Sequence, residues 1–143
     1  MLHGIPDIIS PELLKILHEM GHADEIVIGD ANYPAASTGK RLVRCDGHSL
    51  ADLLEGVLTL FPLDTFVAHP VGIMVPTDPN EAEPAVHAEV RKIVARHDKR
   101  GEKVVEPVER FAFYERAKNA YAVVATTEKR PYGCVVLKKG VIA

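Results

Sequence analysis

The chain has 143 residues, of which 47% are hydrophobic and 26% are charged, the usual balance of one globular domain that can bury its own core. Its net charge of −3 and its scattered basic residues argue against a nucleic-acid partner. No apolar run approaches the roughly 18–20 residues of a membrane span, and no signal peptide is recognisable, so we expect a cytoplasmic protein that binds a neutral small molecule.

The first predicted helix, residues 11–20, is marked at both ends. Ser10 is a good N-cap, Pro11 suits the first helical position, and Gly21 is a natural terminator. The apolar run 26–28 then predicts a strand that is covered on both faces. Asp30 opens the loop that follows this strand.

The rest of the chain alternates between extended and helical hydrophobic periods. Further strands are predicted at 41–45, 71–75, 121–126 and 135–137, and further helices at 50–61, 86–97 and 110–119. Residues 98–109 receive no assignment. The alternation predicts the α/β class, as a single three-layer α/β/α domain over residues 1–143 with a mainly parallel sheet.

Two polar residues flank the first strand and are candidates for a site. Asp30 follows it, at the end where open α/β sheets bind ligands, although an Asx-turn would also explain this residue. His22 precedes it, where the negative end of the first helix favours a charged histidine. Such a histidine suits acid–base catalysis, and capping of the last helical carbonyls is the alternative.

The segment from His18 to His22 also matches H-E-x-x-H, the zinc-protease pattern. Because Gly21 falls where the helix should end, His22 would leave the helix face that carries His18. A zinc hydrolase therefore stays a minor alternative, and we expect no metal. The remaining histidines show no spacing that indicates a site. His97, on the apolar side of its helix, and Cys134, beside an apolar strand, are expected to be core residues.

Several runs of the chain, in this order, resemble the fucose mutarotase and ribose pyranase family. They are ISPELL at 9–14, EMGHADEI at 19–26, DANYPA at 30–35, RCDG at 44–47, PLDT at 62–65, RFAFYERA at 110–117, YG at 132–133 and LKKG at 137–140. The runs at 30–35 and 110–117 look like the fucose branch. The resemblance covers almost the whole chain and is weakest between residues 76 and 106.

The resemblance implies roles for six residues. His22 matches the family's catalytic histidine, and Asp64 matches a carboxylate implicated in proton transfer and binding. The sugar-binding positions of the family correspond to Asp30, Asp64, Arg110, Tyr132 and Cys134. At the last of these the family usually has Asn, and a thiol is a poor substitute for an amide that both donates and accepts. We expect His22 to lie beside Asp30, with the others as companions.

The implied activity is that of a mutarotase, an isomerase that interconverts the α- and β-anomers of a free monosaccharide, with L-fucose as the first candidate. Acid–base opening and closing of the sugar ring needs no cofactor. The family forms rings of subunits, commonly decamers, with sites near subunit interfaces, so a homo-oligomer is expected. The alternatives are a mutarotase or pyranase for ribose or another aldose, and a sugar-binding module without catalysis.

Overall fold

The computed structural model describes all 143 residues. Six strands form one sheet in the order β2-β5-β1-β6-β3-β4. They are β1 (Glu25–Gly29), β2 (Leu42–Cys45), β3 (Val71–Val75), β4 (Val105–Glu109), β5 (Ala122–Thr126) and β6 (Val135–Lys138). Strand β6 runs antiparallel to its neighbours β1 and β3, and every other neighbouring pair is parallel. The predicted mainly parallel sheet is confirmed.

Five α-helices accompany these strands, the first before β1 and the others in the connections between strands. They are α1 (Pro11–Glu19), α2 (Ala35–Thr38), α3 (Leu50–Leu60), α4 (Ala85–His97) and α5 (Arg110–Asn119). Helices α1 and α3 begin as predicted, because Ser10 Oγ accepts from the Leu13 N–H at 3.1 Å and Ser49 Oγ accepts from the Asp52 N–H at 3.2 Å. None of the helices combines the length and the apolar character needed to cross a membrane.

Alternate residues of the central strands face two different helical layers. Ile26 and Ile28 belong to a cluster of 28 buried residues that also holds the apolar sides of α1, α3 and α4. Val27 points the other way, into a cluster of 12 buried residues shared with α2 and α5. Burial on both faces explains why β1 reads as a continuous apolar run. The three-layer architecture is confirmed.

Three elements were not predicted from the sequence: the four-residue helix α2, a 3₁₀ helix at Gly101–Val104 and the strand β4. Strand β4 lies at the edge of the sheet and pairs only with β3. An edge strand tolerates Pro107, the half-buried Glu106 and the exposed Glu109, and these residues make its extended character hard to recognise in the sequence. The expectation that His97 is a core residue is wrong. The histidine lies at the surface, with its Nε2 2.9 Å from Oε1 of Glu55, because it occupies the last position of α4, beyond the buried stripe.

Candidate functional site

The connection between α1 and β1 carries His22 and is held on both sides. In this connection Ala23 adopts a left-handed backbone conformation, with φ of 70°. The Ala23 N–H donates to the Lys139 carbonyl at 2.8 Å. The Asp24 carboxylate accepts from the Gly21 N–H at 2.7 Å. These bonds bring the connection against the end of β6, so His22 stands at a defined place beside the sheet.

His22 is paired with Asp64, which lies on the connection between α3 and β3. The His22 Nε2 is 3.1 Å from Asp64 Oδ1, and the same oxygen accepts from the Phe66 N–H at 3.0 Å. Asp64 is only 2% exposed, whereas the side chain of His22 is 36% exposed. The ring of Phe66 stands edge-on to the imidazole, with 4.7 Å between the ring centroids. The pair therefore joins an accessible imidazole to a buried carboxylate.

The protonation of this pair follows from its hydrogen bonds. Burial alone would raise the pKa of Asp64, but the bonds from the Phe66 N–H and from His22 outweigh it and hold that pKa below its usual value. Asp64 is therefore ionised at neutral pH. Because an ionised carboxylate can only accept, Nε2 of His22 carries the proton of their bond, and Nδ1 is left as the acceptor nitrogen.

Neither alternative interpretation of His22 fits this geometry. Helix α1 ends at Glu19, so His18 lies on the helix while His22 lies beyond it, and the two imidazoles do not share a helix face as H-E-x-x-H requires. No group of three or more histidine, cysteine, aspartate or glutamate side chains is arranged to hold a metal. Nor does His22 cap the carbonyls of α1, because its Nε2 pairs with Asp64 instead.

A second cluster surrounds a cavity of about 270 Å³ at the carboxyl ends of the parallel strands. Its lining consists of Asp30, Asn32, Tyr33, Met74, Arg110, Tyr114, Pro131, Tyr132 and Cys134. Four of the expected site residues, Asp30, Arg110, Tyr132 and Cys134, are thus brought together here. The position agrees with the general rule for ligand sites in open α/β sheets.

Asp30 is fixed in this cavity by three donors. Its Oδ1 accepts from the Asn32 N–H at 3.0 Å, which is the Asx-turn considered from the sequence. Its Oδ2 accepts from the Gly133 N–H at 3.2 Å and from the Cys134 thiol at 3.5 Å. Burial, with a further contribution from Asp30, raises the pKa of Cys134 well above its ordinary value, so the thiol keeps the proton that it donates.

Arg110 stands at the mouth of the cavity as the first residue of α5. The Glu109 carboxylate caps this helix by accepting from the Ala112 N–H at 3.0 Å. The Arg110 Nε donates to the Tyr114 hydroxyl at 3.1 Å, and its guanidinium carbon lies 5.6 Å from the centroid of the Phe111 ring. One edge of the guanidinium is therefore oriented by aromatic neighbours, and the other N–H groups remain free for a ligand.

The two clusters lie at opposite ends of β1. The strand begins at Glu25, three residues after His22, and ends at Gly29, immediately before Asp30. A rise of about 3.3 Å per residue separates the ends of this strand by roughly 13 Å. The expectation that His22 lies beside Asp30 is therefore wrong within one chain, because a fully extended strand stands between them.

The antiparallel strand β6 confirms the separation. Its residue Lys138 pairs with Glu25, and the Lys138 carbonyl accepts from the Asp64 N–H at 3.0 Å. Its other end begins just after Cys134, where Val135 pairs with Ile28. Asp64 thus accompanies His22 at one end of the sheet, whereas Arg110, Tyr132 and Cys134 accompany Asp30 at the other.

Sequence reasoning missed several neighbours of both clusters. Tyr33 and Tyr114 line the cavity, and both lie inside the runs that carry the resemblance, so those runs could have indicated them. Phe66 lies just beyond such a run. Arg100, whose Nη2 donates to the Asp64 carbonyl at 2.9 Å, comes from a distant segment, and no local pattern points to it.

Comparison with known proteins gives a consistent result over the full chain. The RbsD / FucU transport protein family matches residues 3–142. The L-fucose mutarotase of Actinobacillus pleuropneumoniae serotype 5b is 47% identical over 145 residues, which cover 99% of this chain and 97% of that protein.

Solved structures give the same result. The crystal structure of the fucose mutarotase from Streptococcus pneumoniae, in complex with L-fucose, superposes with a TM-score of 0.91 at 44% identity, covering 99% of this chain and 100% of that one. Bacillus subtilis RbsD, complexed with D-ribose, superposes with a TM-score of 0.75 at 25% identity, covering 100% of this chain and 99% of that one. With a match over nearly its entire length, the chain belongs to the RbsD / FucU transport protein family.

Proposed function

We propose that this protein is a mutarotase that interconverts the α- and β-anomers of L-fucose. The observation that carries the proposal is the pair of His22 and Asp64, an accessible imidazole hydrogen-bonded to a buried carboxylate across 3.1 Å. Full-length similarity to an L-fucose mutarotase, and to a structure that holds L-fucose, supports the choice of sugar.

The reaction needs only proton transfers. One proton reaches the ring oxygen as the anomeric hydroxyl loses another, and the bond between C1 and the ring oxygen breaks to give the open-chain aldehyde. After rotation about the C1–C2 bond, the reverse transfers close the ring on the other face, so no net proton or electron is consumed. His22 exchanges protons at Nδ1, and Asp64 holds the imidazole and stabilises its charged form.

The cavity at the other end of the sheet supplies groups that suit a monosaccharide. Asp30 accepts from sugar hydroxyls, Arg110 donates to them, and Tyr132 offers an aromatic face or a hydroxyl. Cys134 stands in place of the amide usual in the family, and because its one proton is donated to Asp30, it offers a sugar only the weakly accepting sulfur. A volume of about 270 Å³ is below the range of pockets for drug-sized ligands, as expected for a single sugar ring.

We further propose that the complete site forms between two copies of the chain. The two clusters at opposite ends of β1 cannot both contact one sugar within a single subunit. Each cluster also carries an exposed aromatic ring, since Phe66 beside His22 is 73% exposed and Phe111 beside Arg110 is 62% exposed. Exposed aromatic rings of this kind are enriched at protein interfaces. A head-to-tail contact joins unlike ends and forms a ring when the rotation between subunits closes, and such a ring is in keeping with the decamer expected from the resemblance.

Saturation-transfer NMR on the anomeric protons tests the proposed activity. The protein is added to L-fucose, D-ribose or D-glucose at equilibrium, and we expect the largest acceleration of anomer exchange with L-fucose. Larger acceleration with D-ribose would favour the ribose alternative, which the likeness to the ribose-bound Bacillus subtilis structure supports. Binding of L-fucose with exchange at the spontaneous rate would identify a non-catalytic sugar-binding module.

The cytoplasm is the compartment that we propose for this activity. Both cysteines of the chain, Cys45 and Cys134, are free and buried. Unpaired thiols are typical of proteins that work in a reducing compartment.

A further inference from the structure

His87 is a fully buried histidine outside both clusters, on the first turn of α4. Its exposed fraction is 0%, and its Nε2 lies 3.0 Å from the carbonyl oxygen of Tyr132. Because a carbonyl can only accept, Nε2 carries the proton of this bond. The other nitrogen, Nδ1, is buried without a hydrogen-bond partner. A buried imidazole with one nitrogen unsatisfied is costly, and the bond made by its Nε2 reaches the cavity loop.

The carbonyl that His87 holds belongs to the same peptide unit as the Gly133 N–H. That N–H donates to Asp30 Oδ2 at 3.2 Å. His87 and Asp30 therefore form hydrogen bonds to opposite sides of one planar peptide unit. Tyr132 has φ of 61°, a left-handed conformation that a non-glycine residue adopts only at a cost. A conformation of this kind persists where surrounding contacts impose it, and the two hydrogen bonds are such contacts.

Helix α4 anchors the same loop at a second point. Glu89, two residues after His87, accepts from Arg130 Nη1 at 2.6 Å, and Arg130 Nη2 also donates to Glu128 at 2.8 Å. These ion pairs hold the start of the loop, whereas only His87 reaches from α4 to Tyr132 itself. The orientation of the Tyr132 side chain and of the Gly133 N–H therefore depends on the imidazole.

We propose that His87 is a positioning residue for the sugar site, which holds the Tyr132–Gly133 peptide so that Asp30 and Tyr132 keep their places in the cavity. The inference rests on the proposed function, because it assigns the cavity to a monosaccharide. His87 does not line the cavity and acts only through Tyr132. Burial lowers the pKa of His87, and the bond to the Tyr132 carbonyl opposes this only in part. The ring is therefore neutral, and a neutral imidazole with its proton on Nε2 can still donate to that carbonyl.

Three substitutions at this position separate the hydrogen bond from the bulk of the side chain. His87→Gln keeps an N–H donor near the position of Nε2, His87→Asn places the donor closer to the backbone, and His87→Leu has none. We expect the Asn and Leu variants to raise KM for L-fucose about three- to tenfold with kcat changed less than about twofold. The Gln variant should stay near the wild type. His97→Leu, at the exposed end of the same helix, is the matched control and should change neither constant.

Labelling of the two cysteines with iodoacetamide, followed by peptide mass spectrometry, reports on the loop without any sugar. Cys134 follows Gly133 directly and is 2% exposed, and Cys45, on β2, is 6% exposed. In His87→Leu we expect Cys134 alone to label faster, whereas a general loss of stability would accelerate both cysteines. In His87→Gln both rates should match the wild type.

The proposal is overturned if His87→Leu leaves KM within about twofold of the wild type, if the Gln and Leu variants are indistinguishable, or if both cysteines label faster together. If the wild-type protein does not accelerate the anomer exchange of L-fucose, the proposed mutarotase function is wrong, and this outcome is distinct from a failure of the His87 proposal. The labelling rates then still decide whether His87 holds the loop.

Discussion

The imidazole of His22 reaches across 42 positions of the chain to Asp64, and the two side chains meet at 3.1 Å at the end of the sheet opposite the cavity. The carboxylate is buried and bonded to the Phe66 N–H as well, so its charge is held in place. The imidazole is accessible and keeps one nitrogen free. The residues proposed for proton exchange and those proposed for recognition of sugar hydroxyls therefore lie at opposite ends of one subunit.

His22→Ala is expected to remove most catalysed anomer exchange. A positioned acid or base contributes roughly 10²–10⁴-fold, and kcat for L-fucose should fall by a factor in this range. The melting temperature should fall only modestly, because the side chain is partly exposed and buried Asp64 keeps its bond from the Phe66 N–H. Saturation-transfer NMR and thermal unfolding measure the two effects. His18→Ala, on the exposed side of α1, is the control, and an unchanged exchange rate in the His22 variant would contradict the assignment.

Arg110→Ala is expected to weaken sugar binding and to affect kcat much less. The guanidinium keeps free N–H groups at the mouth of the cavity, and a hydrogen bond between charged and polar partners contributes about 1.5–3 kcal/mol. KM for L-fucose should therefore rise about ten- to a hundredfold. Arg96→Ala, which removes an exposed arginine paired with Glu55, is the matched control. Unaltered affinity in the Arg110 variant would rule out this role.

Gly29→Ala is expected to destabilise the protein by about 1–3 kcal/mol, because overpacking of a tight contact costs this much. A Cβ at Gly29 would lie 2.7 Å from the ring of Tyr33, and β1 is central and cannot move away. Since Tyr33 lines the cavity, affinity for L-fucose should fall too. Urea denaturation measures the stability. Gly21→Ala is the control, since its Cβ would meet only Asp24, at 3.7 Å, and equal losses in both variants would contradict the steric argument.

His87 is also expected to make the stability depend on pH. Its pKa is lowered in the folded protein by burial, whereas an unfolded histidine titrates near 6.5. As the pH falls below about 6.5, the unfolded chain takes up a proton that the folded protein refuses, so the free energy of unfolding decreases, by at most about 1.4 kcal/mol per pH unit. Glu83, whose Oε1 is 3.9 Å from Nδ1, is exposed and offsets this only weakly.

Urea denaturation at pH 7.5 and pH 5.5 tests this dependence, with His87→Gln beside the wild type. The variant lacks the titrating group, so it should lose less stability between the two pH values. Parallel losses in the two proteins would show that His87 does not control the dependence.

The sequence predicts most of the sheet because buried parallel strands have an unmistakable pattern. The runs that became β1, β3 and β5 are continuously apolar, and the serine caps of α1 and α3 mark helix starts. Strand β4 escaped because an edge strand with Pro107 carries no such run. The resemblance supplied the expected site residues, but their arrangement depends on the direction of the strands between them. His22 and Asp30, eight positions apart, were expected to be neighbours, but strand β1 lies between them.

His87 shows why part of a site stays hidden at the sequence level. It is one of seven histidines, it lies on an ordinary amphipathic helix, and its partner is 45 positions away. Only the packing of α4 against the loop at 128–132 brings the two together. Contacts of this kind join segments that no local pattern connects.

Mixed oligomers test whether the complete site spans two subunits. His22→Ala removes one end of the site, and Asp30→Asn weakens the other, so each variant alone should be nearly inactive. In an oligomer assembled from both, some interfaces pair the intact His22–Asp64 end of one copy with the intact Asp30 end of the next. With random assembly, about one quarter of the interfaces should recover activity.

Co-expression with two different affinity tags, and sequential purification on both, isolates such mixed oligomers. Anomer exchange near one quarter of the wild-type rate per subunit is the expected result. The two pure variants, mixed after assembly without subunit exchange, serve as the control and should stay inactive. If the mixed oligomers are as inactive as the pure variants, each site lies within one chain, and the separation of His22 from Asp30 across β1 would have to be bridged by a movement of the subunit itself.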